Sequence, residues 1–305
     1  MKSILNKAKL GTAPGGRPPV AVELTPEGVL AGSLSSPGKP PVYAFEPLPA
    51  GALVPGIGEP NIRNAEAVAN AIRSTLGQVS PRTHSVTVVL PDTVIRVFVL
   101  DFDTLPAKVA EANSVMRFRL RKMVPFEMEH AGLSYQVLIQ TKTECKVLAA
   151  VIPGPILAEY EAAVRAAGYE PGSVLPSGLV ALETIHSLEA VLVANLSPTA
   201  LTTSITNGQD LLLYRTLDLP EDPGPRLLEV QRGIAVAAAY YEDKLQLKPS
   251  QLYYAGPGGA FDFGQWLENL ELTTEDLAPR PETGAVTPLG STNIAGVAGA
   301  LAGAS

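Results

Sequence analysis

Apolar positions along this chain switch between two periods. Residues 20–24 are apolar apart from Glu23, Thr25-Pro-Glu-Gly28 carries turn residues, and 29–34 are again mostly apolar. That pattern predicts a β-hairpin. Residues 42–46 predict a third strand, and the Pro/Gly-rich stretch 47–60 a loop. A helical period follows. Ala65, Val68, Ala69, Ile72 and Leu76 share one face of a helix over 64–76, with Asn64 as its N-cap and Gly77 at its end. Residues 86–90 read as a buried strand. Next come a β-branched run at 93–100, a helix over 107–122 stopped by Pro125, and two strands at 133–140 and 145–151. Residues 92–151 thus read as an inserted β-α-β-β unit. A helix over 155–167 ending at Gly168, a short strand at 174–175 and a helix over 177–188 complete this half.

From residue 190 the opening order returns. Strands are expected at 190–195, 200–206 and 211–217, the last two joined by the hairpin turn Asn207-Gly208. A long helix at 227–245, a strand at 251–255, the turn Gly256-Pro-Gly-Gly259 and a helix at 261–270 follow. Residues 273–288 read as linker, and 294–302 as a small-residue helix that requires close packing. A β-β-β-α-β-α unit therefore occurs twice. The organisation is a leader at 1–19, a first domain at 20–188 containing the insertion, and a reduced second domain at 189–305.

Composition narrows the function classes. Hydrophobic residues make up 46% and charged residues 17% of the 305-residue chain, enough for an extensive core. The net charge of −7 argues against nucleic acid as a partner. The lone cysteine, Cys145, excludes an internal disulfide framework and any multi-cysteine metal site. It reads as a structural thiol in a strand. No apolar run is long enough to span a membrane. The start, basic through Lys2, Lys7 and Lys9, lacks the apolar core of a signal peptide and reads as a frayed leader. A sharper alternative is a short basic segment that touches membrane or a partner. Asp101 with Asp103, and Glu127 and Glu129 with His130, read as exposed turns rather than metal or acid–base sites.

The order of elements resembles the actin-like (RNase H-like) superfamily, and the inserted unit resembles the 1C subdomain of its FtsA–PilM branch. Particular segments carry the likeness: Val88-Val-Leu-Pro-Asp-Thr-Val-Ile-Arg-Val before the insertion, Arg121-Lys-Met-Val-Pro-Phe-Glu-Met-Glu followed by Leu133-Ser-Tyr-Gln-Val-Leu, Ala166-Ala-Gly, Glu229-Val-Gln-Arg and Tyr240-Tyr241. The resemblance spans residues 20–303 and is most specific in the central block. It implies a cytoplasmic component of a type IV pilus or a related type II secretion machine.

Relatives of this kind hold ATP between two hairpins, each opening Asp-x-Gly, whose carboxylate holds Mg²⁺ and whose glycine lets backbone N–H groups reach phosphate. Here the first hairpin has Glu23 for Asp and Thr25 for Gly, then Pro26, which has no N–H, and Glu27, which adds a charge. The second has Asn195 for Asp and Ser197 for Gly, followed by Pro198 and Thr199. Both loops are altered in the same sense. Only 218–226 separate the third strand of the second domain from the Glu229 helix, so subdomain 2B, which covers nucleotide in the family, is expected to be absent. Gly256, Gly258 and Gly259 are the remaining candidates for contact with adenosine.

These readings predict a pseudo-ATPase scaffold with no cofactor, no metal and no catalytic residue. The alternative is a functional ATP-binding switch of the same fold, holding Mg-ATP. By resemblance, the partner is the cytoplasmic N-terminal segment of a PilN-like inner-membrane protein, bound between the first domain and its insertion. Arg117, Arg119, Lys122, Pro125 and Phe126 are the expected contacts. Other platform proteins, or further copies of the chain, are the remaining partners the family implies.

Overall fold

The computed structural model describes residues 17–34, 39–79, 81–141, 143–267, 270–281 and 283–304. Most of the expected leader lies outside these residues. Its end is packed: Arg17 lies 3.8 Å from Glu183, both side chains shielded from water.

Each half is built on a five-stranded mixed sheet, and the two sheets have the same plan. The first contains β1 (Val20–Thr25), β2 (Gly28–Ser33), β3 (Val42–Pro47), β4 (Ser85–Leu90) and β8 (Glu170–Pro176), in the order β3-β2-β1-β4-β8. The second contains β9 (Ala190–Leu196), β10 (Ala200–Asn207), β11 (Asp210–Asp218), β12 (Gln251–Ala255) and β13 (Thr273–Asp276), in the order β11-β10-β9-β12-β13. In both, the first three strands form an antiparallel meander and the last two run parallel to the first. The fold is α/β and actin-like, as the doubled β-β-β-α-β-α order implied.

The insertion forms its own three-stranded sheet, β5-β7-β6, from β5 (Arg96–Phe102), β6 (Gly132–Gln140) and β7 (Cys145–Ile152), with helix α2 (Val109–Leu120). Alternation along β7 divides its faces. Cys145, Val147, Ala149 and Val151 meet Met116 and Leu120 of α2, while Leu148 and Ile152 enter the main core. That core is continuous across both halves, since Val191, Val193, Leu211 and Tyr214 join the strands and helices of the first domain. Helices α1 (Ala65–Gln78) and α3 (Gly154–Ala166) cover one face of the first sheet, and α5 (Pro223–Leu245) and α6 (Ala260–Gln265) pack on the second.

Several boundaries differ from the sequence reading. Asn64 does cap α1, accepting from the Ala67 amide, but the helix runs on to Gln78, so Gly77 lies inside its last turn. Helix α2 ends at Leu120, before Pro125 is reached. The helix expected over 177–188 is the short α4 (Ser177–Ala181) plus one 3-10 turn, because the Thr184 hydroxyl bonds back to the Ala181 carbonyl and Ile185 is extended. Helix α5 starts earlier than expected, at Pro223, where a missing N–H costs nothing. Strand β13 falls in the expected linker; it is a polar edge strand held in parallel register on β12.

The last helix, α7 (Ala295–Ala302), follows the second domain in sequence but packs on the first sheet and crosses α4. Small residues permit the crossing: a Cβ at Gly299 would run into the Val180 carbonyl oxygen, and one at Gly296 would stand 2.6 Å from the Glu23 carboxylate. Only four residues separate β11 from α5, so no subdomain stands between them.

Candidate functional site

The tips of the two equivalent hairpins, β1–β2 and β9–β10, face each other across a cleft of about 300 Å³ between the halves. Glu23, Thr25, Asn195, Ser197 and Thr199 all line it, so the structure brings together the five residues picked out at the phosphate loops. The side chains of Glu23, Thr25, Asn195 and Ser197 are engaged within the protein, as is the Thr199 carbonyl. Thr25 Oγ1 donates to the Gly28 carbonyl and accepts from the Gly28 amide, which closes its own turn. Ser197 Oγ does the same with Ala200. The Thr199 carbonyl accepts from the Leu219 amide at 2.9 Å.

Glu23 turns inward from β1 and is 6% exposed. It accepts a 2.6 Å hydrogen bond from the Ser177 hydroxyl and another from the Val297 amide in the first turn of α7. The carboxylate thereby occupies the positive end of that helix. Burial pushes its pKa up to about 7, against the pull of the two hydrogen bonds.

The residue that ties the cleft together was not singled out in the sequence. Asp92, two residues past the end of β4, is buried between the halves. Its Oδ1 accepts from the Gly178 amide at 2.9 Å and the Tyr214 hydroxyl at 3.2 Å, and its Oδ2 from Asn195 Nδ2 at 3.2 Å. Thr202 supplies a further hydrogen bond. Burial raises the Asp92 pKa, and burial beside Asp92 raises that of Tyr214. One carboxylate of the first half thus binds three side chains of the second. A Cβ at Gly178 would strike it, which accounts for the glycine. The available signal was an acid placed two residues after the continuously buried run Val88–Val89–Leu90, with only Pro91 between. Nearby, Arg96 forks onto Asp218 at 2.8 and 3.0 Å, clamping β5 to the end of β11.

Three carboxylates, Glu23, Glu27 and Asp92, line the cleft, and no Lys, Arg or His lines it among the described residues. A phosphate oxygen about 4 Å from one such charge meets repulsion of about 4 kcal/mol at an effective dielectric of about 20. The turn after β12 is accounted for by packing. Gly258 and Gly259 adopt φ of +82° and +89°, and a Cβ at Gly256 would collide with Tyr254. Asp276 accepts from the Ala260 amide at 2.8 Å and so takes up the start of α6. Of this turn only Pro257 lines the cleft.

A second concavity, about 270 Å³, separates the first domain from the insertion. Its walls include β8 and β6, each at the edge of its sheet, and its lining is mainly apolar, with Leu133, Val151, Leu157, Val174 and Leu179. The five expected partner contacts lie elsewhere, because α2 packs on the sheet face turned away from the first domain. Arg117 donates to the Met128 and Ala131 carbonyls, Arg119 and Lys122 are exposed, and Pro125 and Phe126 line a separate depression. Cys145 is buried in β7, where burial raises its pKa and keeps the thiol protonated. Among the described residues, no helix is long and apolar enough to cross a membrane.

Two like-ordered sheets, a last helix that returns from the second half to the first sheet, and a cleft between paired hairpins define a protein of the actin-like fold. Among solved structures, the chain is similar to one described as the PilM-PilN type IV pilus biogenesis complex, at 18% identity over 94% of this chain and 98% of that one, with a TM-score of 0.74. It is also similar to the cytoplasmic domain of EpsL, an inner-membrane component of the Vibrio cholerae type II secretion system (14% identity, 92% of each chain, TM-score 0.51). A third similar structure is the ethanolamine utilization protein EutJ of Carboxydothermus hydrogenoformans (10% identity, 96% of this chain and 92% of that one, TM-score 0.51). No protein-family model and no curated protein matches the sequence.

Proposed function

We propose that this protein is a PilM-like adaptor of a type IV pilus or related secretion platform, acting at the cytoplasmic face of the inner membrane. It binds the cytoplasmic tail of a PilN-like membrane protein and does not hydrolyse ATP. The observation that carries this reading is the pairing of an apolar, two-edged groove with a cleft between the hairpins that is lined by carboxylates and, among the described residues, by no cation. An extended tail entering the groove gains main-chain hydrogen bonds from β6 or β8 and buries apolar side chains against Leu133 and Val174. The likeness in fold to a chain solved as a PilM-PilN complex supports the same partner class.

The test is calorimetric titration with a synthetic peptide of the N-terminal segment of the PilN-like protein from the same organism. Saturable binding that Val174→Glu abolishes, with the thermal midpoint retained, supports the reading. Failure of that peptide to bind, or binding indifferent to Val174→Glu, overturns it.

A further inference from the structure

The C-terminal end of α2 presents a surface that the adaptor reading does not use. The helix buries Ala112, Met116 and Leu120. Phe118 lies on the opposite side and is 73% exposed, and Met123, just past the helix, is 42% exposed. Arg121 and Lys122 follow Phe118 by three and four residues and share its outer face. Arg119 is exposed beside them. Arg119, Arg121 and Lys122 form no ion pair with any other described residue, whereas Glu111 on the same helix is neutralised by Lys108 at 3.0 Å. The nearby carboxylates Glu127 and Glu129 line the depression with Arg121, Pro125 and Phe126, whereas Phe118, Arg119 and Lys122 lie outside it.

We infer that this helix end docks on an anionic lipid surface, with Phe118 and Met123 entering the interface and Arg119, Arg121 and Lys122 facing the headgroups. Charge complementarity selects the occupant. The chain as a whole carries −7 and is repelled by an anionic bilayer, so binding must come through a local cationic face. Large apolar side chains projecting from the outside of a single helix, flanked by cations, suit a bilayer interface. The placement is also consistent with the neighbouring groove. Arg117, next to Phe118, holds the Ala131 carbonyl, and Gly132 and Leu133, next along the chain, line that groove.

The experiment is sedimentation of the full chain with vesicles of phosphatidylcholine alone and with added phosphatidylglycerol, at low and high salt. Binding is expected only with phosphatidylglycerol, and it weakens as salt rises. The triple variant Arg119→Gln, Arg121→Gln, Lys122→Gln is expected to weaken binding about a hundredfold, since each cation near such a surface contributes about fivefold. Phe118→Ala also weakens it. Phe261→Ala, which removes an equally exposed aromatic from the second domain, leaves it unchanged, and all variants keep the wild-type thermal midpoint. Absence of binding to phosphatidylglycerol vesicles at low salt, equal binding to neutral vesicles, or binding indifferent to these substitutions overturns the proposal. Failure of the tail peptide to bind would leave this result standing, so the two readings fail separately.

Discussion

Asp92→Ala probes the join between the two halves. The substitution removes the acceptor of the Gly178 amide, the Tyr214 hydroxyl and the Asn195 amide, at 2.9, 3.2 and 3.2 Å. Both Asp92 and Tyr214 are under a tenth exposed, so water does not readily replace the lost acceptor. Each orphaned buried donor costs about 1–3 kcal/mol. Relief of the buried carboxylate, whose pKa burial has raised, offsets part of that sum. The expected net loss is about 3 kcal/mol. Asp92→Asn keeps one acceptor and loses about half as much. In a double-mutant cycle with Tyr214→Phe, the coupling energy is expected to be about 1 kcal/mol. Urea unfolding at neutral pH and fixed salt reads the stabilities, and hydrogen exchange at the Gly178 amide reads local opening. A loss below about 1 kcal/mol for Asp92→Ala, with no coupling to Tyr214, would refute the assignment of Asp92 as the tie between the halves.

Glu23 gives the chain a pH dependence. Its folded pKa is raised from 4.5 to about 7, so the folded state holds the proton more tightly than the unfolded chain. That stabilisation is complete below about pH 4.5 and is lost as pH rises to about 7, a change of about 3 kcal/mol. Glu23→Gln should flatten this part of the urea-unfolding profile, leaving a slope of the same sign from Asp92; an unchanged profile contradicts the assignment. Gly299→Ala drives a Cβ into the Val180 carbonyl where α7 crosses α4, and is expected to cost about 3 kcal/mol in urea unfolding. Arg96→Ala breaks the fork on Asp218, but that carboxylate is largely exposed, so a loss of about 1 kcal/mol or less, shrinking with added salt, is expected from the same assay.

The doubled sheet plan was legible because its strands are apolar runs broken by turn residues, and each hairpin carries its own punctuation at Thr25–Gly28 and Asn207–Gly208. Strand β13 was not legible. Its residues Thr273–Asp276 carry no apolar period, and what makes them a strand is parallel pairing with β12. The placement of α7 was half legible: its small residues called for a close crossing, but only the tertiary structure shows that the crossing partner is α4 in the first domain. At the site, the altered hairpins were readable from Glu23, Thr25, Asn195 and Ser197 one by one. Asp92 was not, because its role is defined by donors at 178, 195 and 214, distant in sequence and adjacent only after the halves close. The five expected partner contacts fall outside the groove between the first domain and the insertion for a related reason. A basic helix end reads the same whether it faces a groove or solvent, and strand alternation in β7 decides which.

The central claim, that the cleft lined by Glu23, Glu27 and Asp92 does not hold nucleotide, is tested most directly by thermal unfolding with and without millimolar Mg-ATP at fixed salt and pH. Ligand at about 100 times its dissociation constant adds about 2.7 kcal/mol, a rise of several degrees in midpoint. The predicted result is no shift. A clear rise on adding Mg-ATP would contradict the claim and restore a working nucleotide switch between the hairpins of β1–β2 and β9–β10.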